Sequence, residues 1–576
     1  YAIGTMKTGH NFAHTDEAAA AAGINAGVDL DCGNYYNSYL LNAVNQSLTY
    51  EIKIDSAITR LLRARFLLGE FSNKNEVPYS SIPDSLLNSQ QHRDFARIAA
   101  QKSIVLLKNE NNQLPLSKNV NNILVIGDNA DNINTMRGAY SGTQDNISTI
   151  LAGIKSKVSP DTKLTYATAY ILPGFILEES SSKYFTTSDG SKGFKAEYFN
   201  NMNLEGEPAL TRIDTSIYFN WVFDSPDPVI KQDSFSVRWT ANAVFDCTGE
   251  YIFEVNSDDG FRLFIDDSLV NDWWSIHNAY PIGRRYKIVA GKEYKFRLEY
   301  FENDMWAACQ FKIANESTTG DNEINRLVGL AKLADQIVFV GGINSMFENE
   351  GGTENLDGFY MGDRTKLSLP IGQTRILKAL HNTGIPITAI ITSGSCFALN
   401  WLQDSIPAIL QVWYPGEEGG NAVADIIFGD ANPSAKLPVT FYKSVDDLPD
   451  FYNYNMENRT YRYFSKPVLY PFGFGLSYST YTFDNMSIET DSLELCQNSI
   501  IPVVFDITNT SKIAGEEVVQ IYVSNIASKQ PQAVRELKAF KKYMIEAGST
   551  IHDTIFVDAK SFVHYDSVNS KYTVEP

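Results

Sequence analysis

The sequence predicts a multidomain protein of mixed class, α/β plus β: a buried parallel sheet interrupted by one β-sandwich and followed by another. Three observations predict it. Short β-branched apolar runs at 123–126 (ILVI), 337–340 (IVFV), 387–391 (ITAII) and 408–412 (AILQV) are mostly spaced by helix-length segments, as buried parallel strands are. About 200 residues separate the first run from the second, far more than a crossover needs, so the excess is an insertion. Within it, roughly 193–315, "GEYIFEVNSDDGFRLFIDDSLVNDWW" and "EYKFRLEYFE" alternate apolar and polar residues with many aromatics, the pattern of antiparallel strands in a sandwich. After about residue 485, "IPVVFDITNTSKIAGEEVVQIYVS" has the same character.

At the N-terminal end, residues 15–26 and 47–69 read as helices of a barrel or bundle, with Ile54, Ile58, Leu61 and Leu62 at helical spacing and Gly69 where a terminating glycine belongs. Residues 72–90 are polar and contain Pro78 and Pro83, which marks a linker. The boundaries expected are 1–71 for the helical piece and 72–98 for the linker. An α/β sandwich then takes 99–192 and 316–445, the insertion 193–315, a connector 446–484 and the last sandwich 485–576. The chain opens on Tyr1 in what reads as domain interior and stops at "KYTVEP", where a further strand is wanted. Both ends therefore read as cut, and no targeting signal is legible.

Composition excludes several functions. With 48 basic against 68 acidic residues the net charge is −20, which leaves no clustered cations for nucleic acid. A content of 44% hydrophobic and 12% aromatic residues is that of a globular protein. No run of about eighteen apolar residues offers a membrane span. Cys32, Cys247, Cys309, Cys396 and Cys496 are scattered without metal-ligand spacing and are expected as buried thiols; neither a metal nor a cofactor is expected. Asp258-Asp259-Gly260 could offer hard oxygens to calcium, though a turn is the preferred reading. Trp273, Trp274 and Trp306 could stack on sugars but fit a sandwich core better. Trp413, Tyr414 and the pair Glu417-Glu418 are expected to shape an interface. The oligomeric state is not legible.

Chemistry is concentrated in "GGINSMFENEGGTENLDGFYMGDRTKLSLP". Here Glu348 and Glu350 stand one residue apart on a glycine-rich loop directly after an apolar strand. Glycines allow close backbone approach, and acid/base chemistry needs a positioned carboxyl. The plainer alternative is a solvated surface loop.

The runs "WYPGEEGGNAVADIIFGDANPSAKLPVTF", "RTYRYF" and "YPFGFGLSYSTYTF" resemble the second domain of glycoside hydrolase family 3, and "ARIAAQKSIVLLKNENNQLPL" resembles its opening. "AGINAGVDLDCGNYY" is similar to the late part of that family's (β/α)8 barrel. Residues 193–315 look like the protective-antigen-type β-sandwich that some members insert, and the tail resembles their fibronectin type III-like domain. The resemblance implies a remnant of a (β/α)8 barrel, an α/β sandwich with an inserted β-sandwich, and a C-terminal fibronectin type III-like β-sandwich. It also implies a retaining, exo-acting β-glycosidase, secreted or periplasmic, acting on an oligosaccharide or glycoside through two carboxyls about 5–5.5 Å apart.

Carried over residue by residue, the resemblance makes Glu350, followed by Gly351, the acid/base, with Asp363-Arg364 displaced by an insertion. Glu348 is the reserve, a residue that would orient or repel. The family's nucleophilic aspartate would lie just before the segment resembling Tyr1-Ala2-Ile3, so the chain is expected to lack it and to be inactive alone. Asp16, Asp29 and Asp31 are not assigned that role. Tyr1, His10 and His14 are candidate substrate contacts. The rival function is a carbohydrate-binding or scaffolding fragment without catalysis.

Overall fold

The computed structural model describes the chain apart from residues 1, 139, 143–145, 170–177, 180–182, 223, 278–279, 305–306, 316–320, 346, 349–357, 361–362, 489–499, 527, 529–531, 567–568 and 575–576. It divides into two compact units, Tyr1–His92 and Arg93–Pro576.

The first unit is helical: α1 (Ala2–Thr8), α2 (Asp16–Asn25), α3 (Tyr35–Asn45) and α4 (Glu51–Leu67). Thr15 caps α2 by accepting from the Ala18 amide. Gly69, at φ +77°, follows the end of α4 as the sequence predicts, because a left-handed residue there costs a glycine nothing. The interior is small, built on Ala20, Ile24, Leu40 and Ala57. Ile52, Ile58, Leu62, Phe66 and Leu67 of α4 are exposed, so an apolar stripe at helical spacing is uncovered among the described residues.

The second unit begins within α5 (Gln90–Gln101) and is organised by a six-stranded sheet. Its strands are β1 (Val105–Asn109), β2 (Asn122–Ile126), β3 (Lys163–Ala167), β4 (Gln336–Gly342), β5 (Ile387–Thr392) and β6 (Ala408–Gln411), in the spatial order β1-β6-β5-β4-β2-β3. All neighbours are parallel except β1 with β6. Alternation sends Leu124 and Ile126 to one face, with Leu327, Ile376 and Leu402, and Ile123 and Val125 to the other, with Ile150, Val423 and Ile427. Each face is covered by helices: α7 (Asp321–Ala331), α8 (Ile371–His381) and α9 (Asn400–Ser405) on the first, α6 (Ile150–Lys157) and α10 (Gly419–Ile427) on the second.

An ionic clip joins α5, α6 and α10. Buried Asp425 accepts from Arg97 at 2.6 and 2.5 Å, from Gln101 at 2.6 Å and from Lys157 at 2.6 Å. Burial pushes the Asp425 carboxyl up, but these donors outweigh it and hold it below the usual range.

The four apolar runs in the sequence are all strands of this sheet. The sequence reading does not include β1 or β3, which occupy its two edges; "KLTYA" of β3 is largely half-exposed and carries little apolar signal.

Between β3 and β4 lie two antiparallel sheets. One runs through 268–273, 261–265, 293–302, 235–244, 194–199 and 210–214, and the other through 280–288, 249–258 and 307–315. Phe185–Thr186 also pairs with the first. They share an aromatic interior of Phe185, Phe194, Trp239, Phe253, Phe261 and Phe311, each worth about 1.5–3 kcal/mol on burial. After residue 480, strands 481–488, 500–509 and 550–558 form one sheet and 515–523 with 536–545 another, around Phe505, Ile507, Val519 and Ile555.

The cysteines depart from expectation. Cys309 is buried, whereas Cys32 and Cys247 are exposed, because both sit in connections rather than in strand interiors. Cys496 and Trp306 lie outside the described residues.

Candidate active site

Five parallel strands met in the chain order β2, β3, β4, β5, β6 but arranged β3-β2-β4-β5-β6 reverse direction between β2 and β4, and the crevice at such a reversal is where α/β sheets bind ligands. A cleft of about 600 Å³ opens there, lined among others by Asp128, Asp131, Tyr166, Asn344 and Phe347. Glycine is required on both sides. A Cβ on Gly127 (φ +119°) would stand 2.1 Å from the Val340 carbonyl oxygen, and one on Gly342 (φ +101°) 2.0 Å from that of Thr392. Gln373 of α8 fixes the end of β4 by accepting from the Gly342 amide at 2.7 Å and donating to its carbonyl at 2.6 Å.

The chain leaves β4 through Ile343, whose amide bonds Thr392 O at 2.9 Å, and turns at Asn344–Phe347. Glu348 comes next, and its carboxylate points back onto the strand ends rather than into solvent. Its Oε1 accepts from Ser395 Oγ at 2.5 Å, and its Oε2 accepts from the Gly394 amide at 2.7 Å and from the Tyr414 hydroxyl. Gly394 is a third glycine where absence of a side chain matters, since a Cβ would lie 2.8 Å from Glu348 Oε2.

The partners of Glu348 are themselves held. Arg364 donates through Nη1 to Ser395 Oγ at 2.8 Å and to the Cys396 carbonyl at 2.7 Å, and its guanidinium stacks 4.0 Å over Phe397. Burial pulls the Arg364 pKa down from its usual value, partly offset by nearby groups that include Glu348. Tyr414 follows Trp413, a bulky residue in the left-handed region at φ +57°, pinned by its Nε1 bond to Ser103 O at 3.1 Å. Burial, then the adjacent Glu348, push the Tyr414 hydroxyl well above its ordinary value.

Of the residues singled out from sequence, Glu350 and Tyr1 lie outside the described residues. His10 and His14 are exposed in the first unit. Asp16 accepts from Lys7 at 2.7 Å and Tyr35 at 2.9 Å, and Asp29 holds Arg60 at 2.8 and 2.6 Å. Glu418 accepts from Arg93 of α5, a contact within the second unit. Tyr414 does more than the sequence reading assigns it, Ser395 was not singled out, and Arg364 was named only as part of a displaced family motif. The signal available was "SGS" at the end of one apolar run and "WY" at the end of the next, both at carboxyl ends of parallel strands.

One further group among the described residues could hold a cation: carboxylate oxygens of Asp258, Asp259 and Glu302 lie within 4.8 Å of one another. Asp259 also accepts from the His277 and Asn303 amides at 2.9 and 2.8 Å, in the short connection from strand 249–258 to strand 261–265. Trp273 and Trp274 have occupied faces, the first against His277 and the second against Arg262.

The family profile "Glycosyl hydrolase family 3 C-terminal domain" matches residues 104–478, and "Fibronectin type III-like domain" matches 517–576. The chain belongs to glycoside hydrolase family 3. It is 34% identical over 562 residues to a xylan 1,4-beta-xylosidase of Xylanibacter ruminicola, an alignment that covers 96% of this chain and 63% of that relative. The chain thus spans less than two thirds of the length of that curated relative. Among solved structures it resembles a beta-glucosidase from Kluyveromyces marxianus in complex with glucose, with TM-score 0.63 and 25% identity over 96% of this chain and 68% of the other. The beta-glucosidase DesR of Streptomyces venezuelae shares the fold at 20% identity and TM-score 0.64, over 96% of this chain and 67% of the other. No described helix is long and apolar enough to cross a membrane.

Proposed function

We propose that this chain carries the acid/base of a retaining, exo-acting β-glycosidase that releases terminal β-linked glucose or xylose, with Glu350 as the acid/base and a nucleophilic aspartate outside these 576 residues. The observation that carries the assignment is the carboxylate of Glu348. Both its oxygens are tied to the ends of β5 and β6 by Gly394, Ser395 and Tyr414, so it cannot turn toward a departing sugar without breaking three hydrogen bonds. Glu350 is then the loop's candidate. In the first half-reaction its carboxylic acid protonates the glycosidic oxygen as the nucleophile attacks the anomeric carbon. In the second, its carboxylate takes a proton from the water that releases the sugar.

A nucleophile outside the chain is supported by the existing partners of the first unit's aspartates: Asp16 with Lys7, Asp29 with Arg60 and Asp31 with the Tyr35 amide. The uncovered apolar stripe of α4 supports reading the first unit as a barrel remnant. The two antiparallel sheets between β3 and β4 support a protective-antigen-type insertion that leans over the site and limits substrate length. Xylan, the substrate named for the 34% relative, is a polymer too large to cross a membrane, which supports a secreted or periplasmic site of action. Of the two sugars the reading takes glucose; rates on aryl β-glucosides and β-xylosides in the full-length enzyme decide. Glu350→Gly in that enzyme should lose unactivated substrates by about 10²–10⁴-fold while keeping part of its activity on dinitrophenyl glycosides. Equal loss on both classes would overturn the assignment.

A further inference from the structure

Glu348 has an unusual setting for a loop carboxylate. Its three donors come from two neighbouring strand ends, and one of them, Ser395, is itself gripped by a half-buried arginine. A charged guanidinium half withdrawn from water is expensive to keep, and Arg364 forms no ion pair within 4.0 Å among the described residues. Its Nη1 is instead spent on Ser395 Oγ and the Cys396 carbonyl, and its Nη2 is buried with no hydrogen-bond partner among the described residues. Further back, Ser393 Oγ donates to Ser395 O at 2.6 Å, and Gln411 Nε2 of β6 donates to Ser393 Oγ at 3.0 Å. The strand ends are thus cross-linked before Glu348 is added. Tyr414 is aimed by a left-handed Trp413, a conformation that bulky residues adopt only when their surroundings impose it.

We propose that Arg364, Ser395 and Tyr414 are positioning residues that act through Glu348: they lock its carboxylate to the ends of β5 and β6 and so fix the base of the segment that bears Glu350. Two residues of chain reach at most about 7 Å, so the anchor at Glu348 limits how far the residue two positions on can stray from the strand ends. The proposal rests on the reading of Glu350 as the acid/base, and it adds that rate depends on groups that never touch the sugar. An anchor of this kind has a specific signature. Loosening it displaces the proton donor, which slows substrates whose leaving group needs a proton and spares those whose leaving group does not.

The test uses Tyr414→Phe and Ser395→Ala, each of which removes one donor with little change of shape, with Glu348→Gln as a third variant that keeps the shape of the anchor. Amide exchange over residues 343–358 of the 576-residue chain should quicken by about tenfold or more in Tyr414→Phe and Ser395→Ala with thermal unfolding unchanged. In the full-length enzyme, kcat on alkyl β-glycosides should fall about 10–100-fold with KM nearly constant, while 2,4-dinitrophenyl glycosides lose less than about threefold. Glu348→Gln should fall between these variants and the parent. Unchanged exchange, or equal loss on both substrate classes, overturns the anchor. If exchange quickens but Glu350→Gly shows no leaving-group dependence, the anchor stands as structure and the acid/base reading fails instead.

Discussion

Glu348 and Glu302 are both glutamates beside a tyrosine, half-buried Tyr414 and buried Tyr300, and they are held in opposite ways. Glu348 has donors on both oxygens: a main-chain amide and the Tyr414 hydroxyl on one, the Ser395 hydroxyl on the other. Glu302, fully buried in the insertion, has Tyr300 Oη 2.8 Å from Oε2, and its Oε1 has no partner among the described residues. The Tyr300 hydroxyl also bonds the Asp258 carbonyl. A phenol has one proton for these two oxygens, so Glu302 serves both best by keeping its own proton and donating it to Tyr300. Burial, together with nearby Asp259, Asp258 and Asp233, pushes its pKa up to about 9. The difference teaches that a neighbouring tyrosine does not decide what a glutamate does. The number of donors and the sign of the surrounding charge decide, making one an anchor and the other a neutral acid.

The comparison is broken most severely at Gly394. A methyl group there would press on Glu348 Oε2 at 2.8 Å. Gly394→Ala should therefore expel the carboxylate and cost about 100-fold in kcat on unactivated glycosides, since a displacement near 1 Å can cost that much. Steady-state kinetics on alkyl and dinitrophenyl glycosides check it. At the other tyrosine, Tyr300→Phe leaves Glu302 and the Asp258 carbonyl without their shared hydroxyl. It should destabilise the chain by about 1–3 kcal/mol, read by calorimetry, with no leaving-group effect.

The subtlest difference is in pH. The unfolded chain releases the Glu302 proton near 4.5, while the folded chain keeps it up to about 9. Between those values the native state binds more protons, so stability attributable to Glu302 falls as pH rises. Glu302→Gln should flatten that slope, measured as unfolding temperature from pH 5 to 8.5. An unchanged slope would mean that the cluster holds Glu302 ionised.

The sequence carried the layout of this molecule further than its site. Continuous apolar runs such as IVFV are legible because a parallel strand buried on both faces admits nothing else, and alternating aromatics mark sheets with one inner face. The edge β3 escaped because a half-covered strand loses that signal, whereas β1 is as buried as the inner strands and its run IVLL was not read as one of them. At the site, Glu348 and Glu350 stood out as carboxylates among glycines, but the groups that hold Glu348, Ser395 and Tyr414, lie 47 and 66 residues away in the chain. That proximity is created by β5 and β6 lying side by side, which no local pattern encodes. Arg364 was visible as part of a family motif, whereas its grip on Ser395 required the fold.

Glu350→Gly and Glu348→Gly, each assayed in the full-length enzyme with a dinitrophenyl β-glycoside and added azide, test the central claim most directly. Removing the acid/base leaves room for azide to attack the glycosyl-enzyme without a base. The account expects β-glycosyl azide from Glu350→Gly and only the free sugar from Glu348→Gly. Azide product from Glu348→Gly alone would reverse the roles of anchor and acid and contradict the account.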